Sequence, residues 1–426
     1  MEGKIMCIEN LKNKKLLILA GAGVHCKVVR AAKELGIYTI VTDYLEDSPA
    51  KAIADESWMY SVTDVDKIVQ RCKDEKIDGV LNFCIDPAQI PYQQICEKLG
   101  VPCFGTKEQF DILTDKRKFK DYCLKYDVDV IPEYSKIDIE KGHVEYPVFI
   151  KPTDSRGSRG QAICYNKEEA LEALYRAEIE SKNGEAICEK YMGGKQDIGS
   201  AFFVIDGIPY LVKFGDRHLG KEEDNLNKQV MCTKLPSDFS EKYAEYVLPR
   251  VTKMIQSLGI QYGPVFLQGF VDGDTIRYYD PGFRMPGGDY DLILKQATGF
   301  DTVKSLINFA LTGNTMVKVG EPEKAYLLNG GTALLLTISV KPGKIDRVEG
   351  MEEVLQYRYV TYARQIIPEK SIIPASGDIS QRVAAIGIYV PDKSLIKEAL
   401  NHVYQTYKIF DENGNDMIVS RYVYNA

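Results

Sequence analysis

Apolar and polar positions follow two rhythms along this chain, and the rhythms alternate. Leu16–Ala20 is a continuous apolar run that ends at Gly21-Ala22-Gly23. Val24–Leu35 then has apolar residues at helical spacing, and Tyr38–Asp43 is a second strand-like run ending in an acid. Short continuous runs separated by helical stretches predict a parallel sheet covered by helices. Ile77–Cys84 and Val101–Gly105 read as further strands, the second one closing this region. Thr106–Tyr126 reads as helical, Tyr146–Thr153 as a strand, Gln161–Tyr165 as a strand and Asn166–Lys182 as an amphipathic helix. Ala186–Gly194 is a strand breaking into a glycine turn, and Tyr210–His218 is an apolar strand with a polar end. Val265–Val271 and Thr275–Tyr279 flank Asp272-Gly273-Asp274, and Asp-Gly between two such runs predicts a hairpin. A helix over Thr298–Thr312, strands over Asn329–Val340 and Arg382–Val390, and a helix from Lys393 to about Thr406 complete the pattern.

A chain of 426 residues exceeds what one core supports and predicts two to four domains. With 45% hydrophobic and 27% charged residues it has the composition of a globular protein. The net charge of −7, with no basic run, argues against a nucleic-acid partner. No apolar run approaches membrane-spanning length, so no membrane partner is expected. The ten cysteines all lie at or before Cys232 and show no C-x-x-C spacing. They predict reduced thiols in a cytoplasmic protein rather than a zinc site or a disulfide framework.

The candidate chemistry lies at strand ends. A hairpin centred near Gly273 puts Gln268 and Asp280 at one level of an antiparallel pair, with Arg284 just beyond. An amide oxygen and a carboxylate suit a hard cation, and a guanidinium suits a phosphoryl group. Lys151 closes one strand and is followed by Asp154-Ser155-Arg156-Gly157-Ser158-Arg159-Gly160, a loop of small and basic residues that can fold over phosphates. Lys116 and Lys120 share a helix face. Glu189-Lys190-Tyr191-Met192 at a strand-to-turn break can frame an adenine. Gly21-Ala22-Gly23 with Asp43, 20 residues after Gly23, allows a dinucleotide site, although Cys26 stands where a third glycine belongs. The sheet edge there also carries His25, Cys26 and Asp86 as candidates for a substrate pocket.

Taken in order, Lys116, Lys151 with its loop, the E-K-Y-M turn, the Gln268…Asp280 hairpin and Arg284 resemble the ATP-grasp superfamily. In particular they resemble its carboxylate–amine ligases and carbamoyl-phosphate-synthase-like branch. The resemblance implies an α/β (α+β) fold: a Rossmann-like domain over 1–105, a helix and lid lobe over 106–195, a catalytic lobe over 196–325 and a small β-rich cap over 326–426. It implies ATP and Mg2+ as cofactors. Lys116, Lys151, Ser155, Gly157 and Ser158 would then face the phosphates. Glu189, Lys190 and Met192 would face the adenine, and Asp197 the ribose. Gln268 and Asp280 would hold the metal, Arg284 would steady a forming acyl phosphate, and Lys213 or Arg217 would meet phosphate or substrate carboxylate. The implied substrates are a small carboxylate and a nucleophile, most often an amine; dimers are common for such folds, so a homodimer is one expectation.

The chain departs from this family at the metal. The family's E-x-N-P-R run is here Asp280-Pro281-Gly282-Phe283-Arg284, with glycine in the asparagine position and an extra residue before the arginine. Asp289 and Asp291 are nearby acids that could add charge. Two alternatives stay open from the residues: an NAD-linked oxidoreductase using the G-A-G-V-H-C turn, and a nucleotide-binding module without catalysis.

Overall fold

The computed structural model describes residues 11–153, 160–181, 184–226 and 229–424. The phosphate-loop residues Ser155, Gly157 and Ser158 lie outside the described residues.

The N-terminal pattern folds into four parallel strands: β1 (Lys15–Leu19), β2 (Tyr38–Thr42), β3 (Glu56–Trp58) and β4 (Gly79–Leu81), in the order β3-β2-β1-β4. All four β1 residues after Lys15 are buried, as a run apolar on both faces requires. Helix α1 (Cys26–Glu34) connects β1 to β2, α2 (Val65–Glu75) connects β3 to β4, and α3 (Gln89–Leu99) follows β4. Val101–Gly105, expected as a strand, is coil.

The helix expected over Thr106–Tyr126 is two, α4 (Lys107–Thr114) and α5 (Lys116–Leu124). Asp115 ends the first in an extended conformation, and its carboxylate caps the second by accepting from the Arg117 and Lys118 N–H groups. A second sheet follows, built from β5 (Glu133–Tyr134), β6 (Val148–Pro152), β7 (Ala162–Cys164) and β8 (Ala186–Lys190) in the order β5-β8-β6-β7, all antiparallel. Helix α6 (Lys167–Glu180), capped by Asn166, packs on it.

The third sheet has nine strands. Its first five are β9 (Asp197–Ile205), β10 (Ile208–Leu219), β11 (Val230–Leu235), β12 (Tyr262–Asp272) and β13 (Thr275–Gly282). Helices α7 (Leu248–Ser257), α8 (Tyr290–Thr298) and α9 (Thr302–Thr312) belong to the same region. The C-terminal segment adds β14 (Thr332–Val340), β15 (Val360–Gln365), β16 (Arg382–Val390) and β17 (Ile418–Val419), with α10 (Ile396–Thr406) behind them. The strand order is β13-β12-β9-β10-β11-β14-β16-β15, and β17 pairs with β14. These C-terminal strands therefore continue the central sheet through the β11–β14 pairing, and the short strands Gly343–Lys344 with Ile372–Ile373 and Arg347–Glu349 with Lys408–Phe410 form two small sheets beside it.

Candidate active site at the hairpin and sheet ends

β12 and β13 pair as the Asp-Gly turn predicts, with Val271 opposite Ile276 and Gln268 opposite Asp280. Between these pairs the register slips by one residue, because Tyr279 is extra on its strand. Such a bulge re-aims side chains. Tyr278 is buried and its hydroxyl meets that of Tyr243 at 3.0 Å, whereas both Tyr279 and Asp280 engage site residues. Gly269 makes the bulge possible: a Cβ there would stand 2.5 Å from Ile276 Cγ2 and 2.9 Å from the Arg277 carbonyl oxygen.

Arg217, on β10, is the hub beside this hairpin. Its Nη1 donates to both Asp197 oxygens at 3.0 and 2.8 Å and to the Tyr279 hydroxyl at 2.9 Å. With its amide oxygen toward Arg217, Gln268 accepts at 3.0 and 3.2 Å. Burial pushes the Asp197 carboxyl up to about 6, against the attraction of Arg217. The Asp197 carboxylate, expected at a ribose, is thus turned onto Arg217. Lys116, the first residue of α5, lies 3.5 Å from Asp280. Arg284 is buried, ion-paired with Asp86 beyond β4, donates to the Met285 carbonyl at 2.7 Å and stacks 5.3 Å from the Phe266 ring centre.

A second charged cluster fills the space between the sheets. Phe149 pairs with Glu189, so Lys151, two residues on, shares the face of Glu189. Lys151 meets Glu189 at 2.7 Å, and Lys120 also bonds that carboxylate. Lys120 reaches Glu133 at 2.7 Å and the Ile131 carbonyl at 3.1 Å. Burial raises the Glu189 pKa, but the two lysines outweigh it and hold it below the usual carboxylate range. Burial lowers that of Lys151 despite Glu189. Glu189, expected to face adenine, presents its carboxylate to these two lysines. Lys190 pairs with Glu145 at 2.9 Å on the surface, and its N–H donates to the Pro132 carbonyl. Met192 is buried in the turn that follows. Lys120 was legible only as a helix-face partner of Lys116; its link to Glu189 spans 69 residues.

Lys213 is buried on β10 with its ammonium 5.0 Å from the Tyr290 ring centre, and it has no hydrogen bond or ion pair among the described residues. Burial, aided by repulsion from Arg217 and opposed by the charge of Asp291, lowers its pKa to about 7.

A third cluster joins three distant segments. Lys27 on α1 bonds Asp291, the Asp289 carboxylate at 3.1 Å and the Gly288 carbonyl at 3.0 Å. Arg364 on β15 meets Asp289 at 3.0 Å from the other side. Asp289 and Asp291, read as possible extra charge for the metal, are thereby paired with cations. Nothing local to Arg364 marks it in the sequence, because its partner is 75 residues away.

The glycine turn after β1 is also closed. The Asp43 oxygens accept from the Gly21 N–H at 2.7 Å and the Leu45 N–H at 2.9 Å, and a Cβ on Gly23 would meet Arg364 Nη1 at 3.0 Å. The acid expected on a ribose in the NAD reading holds the turn instead. His25 is fully buried and its pKa falls to about 4, chiefly through burial. Among the described residues no group of three or more His, Cys, Asp or Glu side chains is placed for a metal, and no helix is long and apolar enough to cross a membrane.

Residues 16–97 match the family "PylC-like, N-terminal domain", and residues 115–260 match "Carbamoyl-phosphate synthase L chain, ATP binding domain". The 2-oxoglutarate carboxylase small subunit of Hydrogenobacter thermophilus is 27% identical over 240 residues, covering 51% of this chain and 49% of the relative. The chain thus spans about half the length of that curated relative. The L-amino acid ligase of Bacillus licheniformis superposes with a TM-score of 0.74 at 19% identity, covering 94% of this chain and 100% of the other. The biotin carboxylase domain of the H. thermophilus enzyme, solved in complex with MgADP, ADP and bicarbonate, gives 0.74 at 19% identity, covering 95% and 91%. The fold is therefore ATP-grasp. Over residues 115–260 the chain is similar to the ATP-binding domain of the carbamoyl-phosphate synthase L chain, and its fold is that of the superposed ligase and carboxylase structures.

Proposed function

We propose that this chain is an Mg-ATP-dependent ligase that activates a small carboxylate as an acyl phosphate and couples it to a nucleophile, an amine in the first instance. The observation that carries this reading is the Gln268–Asp280 pair set among Lys116, Lys151, Arg217 and Arg284 at one end of the central sheet. Domain limits of 1–105, 106–195, 196–325 and 326–426 go with it, as do Ser155, Gly157 and Ser158 in a loop over the phosphates.

In this reading Lys116 and Lys151 neutralise phosphate oxygens, and Lys120 and Glu189 keep the Lys151 ammonium aimed. The Lys190 and Met192 backbone and the Met192 side chain frame the adenine, and Asp197 meets the ribose once Arg217 turns to anionic substrate. The donor set fits Mg2+: the Gln268 amide oxygen and the Asp280 carboxylate would hold it, the remaining ligands being phosphate oxygens and water. Bound magnesium would supply neutralisation of phosphate charge. Arg284 and Lys213 act on the substrate carboxylate, Arg284 by steadying charge on the group being transferred. Catalysis of this kind is positioning and charge neutralisation rather than covalent attack by the protein. The matched relatives' small-molecule chemistry supports a carboxylate and an amine as partners; a homodimer and a cytoplasmic location complete the proposal.

The test is ADP release with Mg-ATP against amino acids and other small carboxylates, singly and paired with amines. Release that requires one acid and one amine supports the ligase; ATP binding with no release across the panel leaves a binding module. Arg284→Ala should lower kcat by about 10²-fold or more and leave the KM for ATP within about twofold. Equal losses in both would refute its role.

A further inference from the structure

Both oxygen donors assigned to the metal in the ligase reading are already held by cations of the chain itself. Gln268, with its amide oxygen toward Arg217, accepts from Nη1 at 3.0 Å and from Nη2 at 3.2 Å. Asp280 faces the Lys116 ammonium at 3.5 Å. Arg217 Nη1 also donates to both Asp197 oxygens, at 3.0 and 2.8 Å, and to the Tyr279 hydroxyl at 2.9 Å. One guanidinium thus gathers a carboxylate, an amide oxygen and a phenol. These are hard oxygen donors of the kind a divalent cation takes.

The strand register explains how Arg217 reaches this position. Strands β10, β9, β12 and β13 lie side by side. Arg217 stands directly opposite Asp197, and Asp197 opposite Phe270. Gln268, two residues before Phe270, shares that face and stands opposite Gly199 on one side and Asp280 on the other. Gly199 has no side chain to block the way, and a Cβ there would lie 3.5 Å from Arg217 Cδ. The arginine stem therefore crosses the sheet over Gly199, and the guanidinium ends among the donors.

Charge makes the arrangement selective. Arg217 and Lys116 match Asp197 and Asp280 one for one. A bare divalent cation arriving here finds no unmatched carboxylate among these residues and two positive charges beside its ligands, a repulsion that partial burial strengthens. A nucleotide offers replacements for both contacts. Ribose hydroxyls can donate to Asp197 in place of Arg217, and phosphate oxygens can take Lys116 and the guanidinium. Gln268 and Asp280 are then free.

Resting on the ligase reading, we propose that Arg217 is a gate on the metal site: it occupies the oxygen donors of the nucleotide-free chain and excludes free divalent cation until nucleotide displaces it. Lys116 holds Asp280 in the same way. Arg217 acts here through Asp197 and Gln268, as a positioning residue that ties metal loading to nucleotide.

The experiment is titration of the nucleotide-free full chain with Mn2+, read by the electron paramagnetic resonance signal of the free ion. The wild type should bind Mn2+ weakly. Arg217→Gln, which keeps hydrogen bonding and removes the charge, should bind it about tenfold or more tightly. Arg217→Lys should stay near the wild type. Adding Asp280→Asn to Arg217→Gln should remove the gain, which ties it to this site. With a non-hydrolysable ATP analogue present, the gap between wild type and Arg217→Gln should narrow. Misfolding does not create affinity, and Lys116→Met gives a second reading where Arg217→Gln folds poorly. No gain in Arg217→Gln, or in Lys116→Met should the former fail to fold, overturns the proposal. ADP release driven by an acid and an amine, without any Mn2+ gain in the variants, would remove the gate and leave the ligase. A Mn2+ gain with no ADP release across the panel would leave the gate and remove the ligase.

Discussion

Lys213 concentrates the electrostatics of the site in one residue. Its pKa of about 7 in the folded chain lies below the ordinary 10.5. Below pH 7 the folded and unfolded chains both carry the proton, and the folded one bears the full cost of burying an ammonium without an ion pair. Between about 7 and 10.5 only the unfolded chain binds it, so stability rises with pH across that window. Lys213→Met should therefore stabilise the protein most at pH 6 and least near pH 10, measured by urea unfolding, while activity is lost. If Lys213 takes the proposed role, kcat/KM for the acid should fall in the wild type as pH rises through about 7, because the free enzyme then loses the charge proposed to meet the carboxylate. Lys213→Arg should remove that decline, and a pH profile identical to wild type would exclude Lys213 from acid binding. The lysine itself is plain in the sequence; that it is buried over the Tyr290 ring with Asp291 nearby depends on residues some 80 positions away in the chain.

At the scale of elements the hairpin is the instructive case. Alternation and the Asp-Gly turn act over a dozen residues, which is why its existence and the approximate level of Gln268 and Asp280 were readable. The bulge at Tyr279 was not, since nothing in the period announces one extra residue. Yet it is the bulge that brings both Tyr279 and Asp280 to the site. Gly269→Ala should force Ile276 and the Arg277 carbonyl aside at a cost of about 1–3 kcal/mol. Because the bulge aims two site residues, turnover should drop further than stability accounts for. Thermal unfolding and ADP release on the same sample check both, and a variant that loses stability alone would separate the bulge from function. The split of α4 from α5 follows similar logic: Asp115 caps a new helix, a local interaction that apolar spacing does not register.

Across the whole molecule, Lys27, Asp289 and Arg364 tie the N-terminal sheet, the segment after the hairpin and the C-terminal strands together. Lys27→Met and Arg364→Met should each destabilise, by about 1–3 kcal/mol. The double variant should depart from additivity by more than about 0.5 kcal/mol. A strictly additive cycle, read from chemical unfolding, would mean that the three segments do not act through Asp289. The C-terminal region read as a β-rich cap without chemistry, and in the fold its strands complete the central sheet and bring Arg364 to Asp289.

By itself the sequence determined the strands and most helices, the parallel N-terminal sheet, the hairpin and the order of basic and acidic strand ends that resembles the ATP-grasp pattern. These follow from periodicity, turn chemistry and strand termination, all of which act between near neighbours. Only the tertiary structure decided which charges are shared and which stand alone. Glu189 lies between Lys120 and Lys151, Asp197 is turned onto Arg217, Asp43 holds its own glycine turn, and Lys213 makes no ion pair among the described residues. Pairing of this kind depends on which strands adjoin and on how much water each charge keeps, and neither quantity is a property of a stretch of chain.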